Sequence, residues 1–137
     1  MTATLLYHIA SVLLVLFAAG HTFGFLKFKA PTPEGLGVRQ AMTDVVFPLR
    51  GKNYSYSGFY TGFGLFITID LLFSACLAWR LGTLAATDPS AIGLLGWAFC
   101  GVHVAGIVLS WLFFFPVTAG FSGVVAVCLG AAAWLVK

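Results

Sequence analysis

The stretch GFYTGFGLFITIDLLFSACLAW, from Gly58 to Trp79, decides the fold of this chain. It contains a single charged residue, Asp70. About 20 consecutive apolar residues are enough for a helix to cross the hydrocarbon core of a bilayer. An ionised, unpaired carboxylate at the centre of such a helix costs at least roughly 2.5–3.5 kcal/mol. The stretch therefore predicts a transmembrane helix in which Asp70 is neutral, paired or facing a wet cavity.

The composition of the whole chain is that of an integral membrane protein. Of its 137 residues, 61% are hydrophobic and 8% are charged, and the mean hydropathy is +1.03. Soluble domains carry about 25% charged residues. Four apolar runs, at about 5–26, 57–81, 91–115 and 117–136, predict four spans, and lipid forces short spans to be helices. We expect one membrane domain over residues 1–137, an all-α antiparallel bundle of four transmembrane helices.

The longest connection, residues 27–56, has a helical pattern of its own. Thr32 can cap a helix that starts at Pro33, and Glu34 complements the helix dipole in the first turn. An apolar face and a polar face then alternate until Pro48 and Gly51 end the pattern. We predict a short amphipathic helix over about 33–47, lying on the membrane surface or covering the mouth of the bundle.

Basic residues are concentrated in this first loop. They are Lys27, Lys29, Arg39, Arg50 and Lys52. The opposite side carries only Arg80, Lys137 and the amino terminus. Because cytoplasmic loops are enriched in Lys and Arg, we predict an inner-membrane protein with the first loop in the cytoplasm and both termini outside. Arg39, Arg50 and Lys52 are also candidates for binding lipid phosphate headgroups, although a topology signal is the preferred interpretation.

Polar side chains recur at helical spacing on three of the spans. Tyr56, Tyr60 and Asp70 share one stripe of the second span, while His103 and His21 lie on stripes of the third and first spans. We take Asp70, His103 and His21 as candidate catalytic residues, and these three with Tyr56 and Tyr60 as candidate ligand-binding residues. A buried Asp–His pair can hold or pass a proton, and the tyrosines can donate hydrogen bonds to a ligand.

The same residues have a purely structural interpretation that stays open. Asp70 and His103 would then satisfy each other or a backbone group, because polar side chains also hold membrane helices together. Haem ligation by His21 and His103 is disfavoured, since helix rise places them about 6 Å apart in depth, and no cofactor is predicted. The three cysteines form no CxxC pair, so no metal site is predicted either.

The fourth span predicts packing. Small residues recur along one of its faces, at Ala119, Gly123, Ala126, Gly130 and Ala133. A seam of this kind lets a neighbouring backbone approach closely, and it is our candidate interface for a homodimer. Membrane lipid is the other expected partner. The net charge of +3 comes from a few loop residues and gives no support for nucleic-acid binding.

Three segments in the first half of the chain carry a resemblance to known sequences. They are FAAGHTFGF at 17–25, PTPEGL at 31–36 and YSYSGFY at 54–60. These segments resemble a small uncharacterised bacterial family of four-helix integral membrane proteins with a GHTxGF motif at the end of the first helix. The resemblance implies the four-helix fold and draws attention to His21, Tyr56 and Tyr60. It carries over no catalytic residue and no function.

The sequence leaves three function classes open. The preferred one is a small polytopic membrane protein whose buried Asp/His/Tyr site binds or converts a lipid-like or small apolar molecule that enters under the first loop. The second is a proton-coupled small transporter, acting as a homodimer, in which Asp70 titrates. The third is a structural or accessory membrane subunit. No nucleophile–base pair or phosphate loop is present in the sequence, so whether the chain is an enzyme stays open.

Overall fold

A computed structural model describes residues 2–136 of the chain. The helices are α1 (Ala3–Lys27), α2 (Pro33–Asp44), α3 (Tyr56–Thr87), α4 (Gly93–Phe113) and α5 (Pro116–Leu135). A hairpin of β1 (Val46–Leu49) and β2 (Lys52–Ser55) lies between α2 and α3, and a 3-10 turn (Pro89–Ala91) precedes α4. Part of the predicted charge asymmetry rests on Met1 and Lys137. Both lie outside the described residues.

Four of these helices are long and apolar enough to cross a membrane. They are α1, α3, α4 and α5, with hydropathies of 2.0, 1.8, 1.7 and 1.7 over their most apolar windows. The prediction of an all-α chain with four long apolar helices is confirmed. The predicted ends of the first, third and fourth spans agree with the observed helix ends to within one turn. The sequence predicts that the second span ends at Leu81, but α3 continues to Thr87.

Helix α3 continues through Gly82, just beyond the predicted end of the second span, and α1 packs closely against it there. A Cβ atom at Gly82 would lie 2.5 Å from Cδ2 of His8, whose ring stacks on Trp79 with the centroids 4.1 Å apart. Glycine lowers helix propensity by about 1 kcal/mol relative to alanine, but at this position it leaves the space that the His8 ring occupies. The helix ends just before Asp88 and Pro89, because proline disfavours a helical conformation at the residue before it.

Helix α2 starts where the sequence places its start. The Thr32 side chain accepts a hydrogen bond of 3.1 Å from the Gly35 amide, and Pro33 occupies the first turn. The helix ends at Asp44, earlier than the predicted end near residue 47. The β-branched and aromatic residues that come next, Val45 to Phe47, favour an extended backbone.

The hairpin after α2 is a feature that the sequence patterns do not predict. Its strands pair antiparallel, with Leu49 opposite Lys52, so only Arg50 and Gly51 form the turn. Both turn residues have positive φ, 50° and 78°. Two-residue turns of this geometry favour Asn-Gly and Asp-Gly, so Arg-Gly is a weak sequence signal for a hairpin.

The chain divides into two compact units. The central unit is Ala18–Asp70, and the terminal unit comprises the described residues before and after it. In the terminal unit, the largest fully buried side chains belong to Tyr7, Leu14, Leu81, Ile92, Val125 and Leu129. The Ser11 hydroxyl there donates to the Ala75 carbonyl at 2.8 Å, which ties α1 to α3. The prediction of one membrane domain over residues 1–137 stays a prediction.

The small-residue seam of α5 packs against α4 within the terminal unit. A Cβ at Gly130 would lie 3.2 Å from Sγ of Cys100, and that thiol donates to the Ala126 carbonyl at 3.4 Å. Ala119, Ala126 and Ala133 are buried. These three residues of the seam are therefore covered within the terminal unit, and a homodimer through this helix stays a prediction.

Candidate functional site

The sequence-predicted site residues are distributed over both units. Tyr56, Tyr60, His21 and Asp70 belong to the central unit, and His103 belongs to the terminal unit. His103 is buried, with 7% of its surface exposed, and its ring meets that of Phe99 edge-on at 5.2 Å. The central unit therefore holds most of the predicted site.

An open groove of about 380 Å³ lies alongside α2 in the central unit. It is lined by Phe28, Ala30, Pro31, Gly35, Val38, Arg39, Met42 and Tyr60. The Arg39 guanidinium and the Tyr60 phenol are the only polar side-chain groups of this lining. The volume is within the range of roughly 300–1,000 Å³ that is typical of ligand pockets.

A row of aromatic rings connects the groove to His21. The Arg39 Cζ atom lies 5.8 Å from the centroid of the Tyr60 ring. The Tyr60 ring in turn contacts Phe25, with a centroid distance of 5.4 Å. Phe25 stacks almost parallel on His21 at 5.8 Å. The sequence predicts Tyr60 as a ligand-binding residue and Arg39 as a headgroup-binding residue. The structure places both in one groove, and His21 lies behind them.

The carbonyl of Gly64 fixes the inner end of this row. The His21 Nε2 atom is 3.0 Å from it, and because a carbonyl only accepts, Nε2 carries the proton. The Thr68 hydroxyl donates to the same oxygen at 3.3 Å. A Cβ atom at position 64 would overlap the ring of Phe25. The glycine at this position leaves the space in which the Phe25 ring lies against α3.

The positive charge of Arg39 has no carboxylate partner within residues 2–136. Asp44, on the same helix, instead accepts two hydrogen bonds of 2.9 Å from Nε2 of Gln40. An unpaired guanidinium beside apolar walls attracts an anion, because it offers a planar set of donors that matches a phosphate or a carboxylate.

The remaining predicted residues of the central unit do not line this groove. Tyr56 packs against Phe47 of the hairpin, with ring centroids 5.2 Å apart. Arg50 and Lys52 are exposed at and beside the hairpin turn. Asp70 is also exposed on α3, and it forms no hydrogen bond or ion pair within residues 2–136. Of the three situations expected for Asp70, pairing inside the described chain is not observed.

A second open cavity, about 560 Å³, lies at one end of the terminal unit. Its lining residues are Thr2, Ala3, Thr4, Ala85, Ala86, Pro89, Leu135 and Val136. This lining contains no charged or aromatic side chain, so it has little that would orient a ligand. Among residues 2–136, no group of three His, Cys, Asp or Glu residues could hold a metal ion.

The sequence did not identify the apolar walls of the groove. Val38 and Met42 carry a usable signal, because they are four residues apart on α2 and flank Arg39. Phe28 and Pro31 carry none, since they belong to an irregular segment whose packing obeys no periodic pattern. Phe25 lies on the same stripe of the first span as His21, but its contact with Tyr60 depends on helix rotation.

The fold and the groove together define an all-α protein with four helices apolar enough to cross a membrane and a ligand-sized groove beside the first loop. Comparison with known protein families, with curated proteins and with solved structures found no match to this chain.

Proposed function

We propose that this protein is a four-helix integral membrane protein that binds an anionic, lipid-like amphiphile in the groove alongside α2. The observation that carries the proposal is Arg39, a cation without a carboxylate partner among residues 2–136, in an otherwise apolar groove. Its guanidinium would hold a phosphate or carboxylate headgroup through paired hydrogen bonds. The walls formed by Phe28, Val38 and Met42 would take the first carbons of the apolar tail.

Tyr60 supports this function in two ways. Its ring lies close enough to the Arg39 guanidinium for a cation–π interaction, which favours one orientation of the cation. Its hydroxyl can donate a further hydrogen bond to the headgroup. Phe25 and His21 back the Tyr60 ring, so the polar end of the groove is supported by packed side chains rather than by a loop alone.

The proposed membrane placement is consistent with a lipid as ligand. We place α1, α3, α4 and α5 across the inner membrane as a bundle, because of their length and hydropathy. We place the first loop on the cytoplasmic side because of its basic residues, with α2 in the interfacial layer. The groove then opens among lipid headgroups, and Arg50 and Lys52 attract the anionic surface without lining it.

Native mass spectrometry of protein released from nanodiscs tests the proposal. The nanodiscs contain equal amounts of phosphatidylglycerol and phosphatidylcholine. We expect wild-type protein to retain one phosphatidylglycerol molecule. Arg39→Gln should lower this retention on the order of tenfold to a hundredfold, because it removes a charge-assisted hydrogen bond. Arg50→Gln is the matched control, since it removes the same charge from the same loop outside the groove.

Two results would contradict the proposal. If Arg39→Gln and Arg50→Gln lowered retention equally, the loop would attract lipid only through its total charge. If the wild-type protein retained phosphatidylcholine as well as phosphatidylglycerol, Arg39 would not select an anion. The melting temperature of each variant, measured in detergent, separates loss of ligand from loss of fold.

A further inference from the structure

Asp70 lies on the outside of α3, far from either end of the helix. It is the only charged residue between Lys52 and Arg80. A rise of 1.5 Å per residue places it about 15 Å from Arg80 and about 21 Å from Tyr56 along the helix axis. Its carboxylate is exposed and has no partner within residues 2–136. Intramembrane carboxylates are rare and almost always meet a partner or water.

Large apolar side chains surround Asp70 on the same side of α3. Phe59, Phe63, Phe66 and Ile67 precede it at spacings of three and four residues, so the five form one helical face, here called the Asp70 face. Phe63 and Phe66 are 66% and 68% exposed. Acyl chains can cover phenyl rings, but they offer no donor to a carboxylate. The Asp70 face therefore combines exposed aromatic side chains, which are enriched at protein–protein interfaces, with one charge that needs a partner inside a membrane.

We propose that the Asp70 face docks a transmembrane helix of a different protein that carries Lys or Arg at the depth of Asp70. Charge complementarity selects this occupant, because a basic side chain neutralises the carboxylate and donates hydrogen bonds to it. The aromatic side chains then pack around the ion pair and exclude lipid. This inference uses a different face of the central unit from the groove. It rests on the proposed placement of α3 across the membrane, but it does not depend on binding of an amphiphile in the groove.

A second copy of this chain is a poorer occupant of the Asp70 face. A two-fold dimer through this face would bring the two Asp70 carboxylates together instead of pairing each with a cation. Arg80 of the copy would lie about 15 Å away along the helix axis. In the central unit, the His21 ring already donates to the Gly64 carbonyl, and the lysines and arginines all precede α3. The central unit therefore offers no cation of its own beside Asp70.

Fluorescence energy transfer tests this inference. The labelled protein and a labelled, synthetic, leucine-rich transmembrane peptide are placed together in phosphatidylcholine vesicles. One peptide has a single central lysine, and its matched control has leucine at that position. We expect the lysine peptide to associate with the wild-type protein and the leucine peptide to associate only weakly. Asp70→Asn, which keeps the size of the side chain, should weaken association with the lysine peptide on the order of tenfold. Asp88→Asn, in the turn after α3, should leave it unchanged.

Three results would overturn the inference. In the first, the lysine and leucine peptides associate equally with the wild-type protein. In the second, Asp70→Asn leaves association with the lysine peptide unchanged. In the third, energy transfer occurs between two copies of the protein and depends on Asp70. The last result would make a second copy the occupant. The melting temperature of the Asp70→Asn variant in detergent shows whether the variant is folded, and it keeps this test separate from that of the groove.

Discussion

Individual glycines decide how closely the helices approach in each unit. In the central unit, Gly64 leaves space for the Phe25 ring, and in the terminal unit Gly96 leaves space for the Tyr7 hydroxyl, 2.6 Å from where a Cβ would lie. At Gly20 and Gly24, a Cβ atom would meet no neighbour within 4 Å. The sequence shows where glycines are, but it does not show which of them face a neighbouring helix, because packing sets the rotation of each helix.

Gly64→Ala should destabilise the protein by about 1–3 kcal/mol relative to Gly62→Ala, because the new methyl group overpacks the contact with Phe25. Gly62 is the matched control on the same helix, since nothing lies within 4 Å of its Cβ position. Both variants gain about 1 kcal/mol of helix propensity, so the difference between them isolates the packing cost. Thermal unfolding in detergent measures it. Equal melting temperatures would show that Phe25 moves aside at no cost.

At the level of elements, local chemistry predicted the start of α2 but not the hairpin after it. Thr32 and Pro33 act on the first turn alone, so their effect can be deduced from neighbouring residues. The hairpin depends on Arg50 adopting a left-handed conformation, which arginine rarely does unless strand pairing compensates. The continuation of α3 past Leu81 was not predicted either, and its contact with His8 at Gly82 joins residues that are distant in sequence.

Gly51→Ala should weaken the hairpin, because a non-glycine residue in a left-handed conformation costs about 1–2 kcal/mol. Arg50→Asn should preserve or strengthen it, since asparagine tolerates positive φ. Hydrogen exchange of the backbone amides of residues 46–55 in detergent micelles measures both effects. We expect faster exchange in the first variant and no increase in the second. Faster exchange in both would mean that the Arg50 side chain, rather than the turn geometry, stabilises the hairpin.

At the level of the whole molecule, composition was enough to predict four apolar helices, because each requires only a long run of residues that lipid accepts. The candidate site was harder to predict. Spacing and charge identify Tyr60, Arg39 and His21 as polar residues near the first loop. The predicted stripe from Tyr60 to Asp70, however, does not form one site: Tyr60 lines the groove, and Asp70 lies on an exposed face of α3. Spacing along a helix does not tell which neighbour covers each part of its surface.

The first loop and the turn between α3 and α4 should lie on opposite sides of the membrane, because α3 is a single apolar helix of 32 residues. In a variant with the three cysteines replaced by alanine, we add Asn53→Cys in β2 or Ala86→Cys near the end of α3. A membrane-impermeant maleimide applied to intact bacterial cells should label Ala86→Cys at once. It should label Asn53→Cys only after permeabilisation, because basic loops stay in the cytoplasm. The reverse pattern would place the groove in the outer leaflet, and labelling of both sites in intact cells would mean that α3 does not span the membrane.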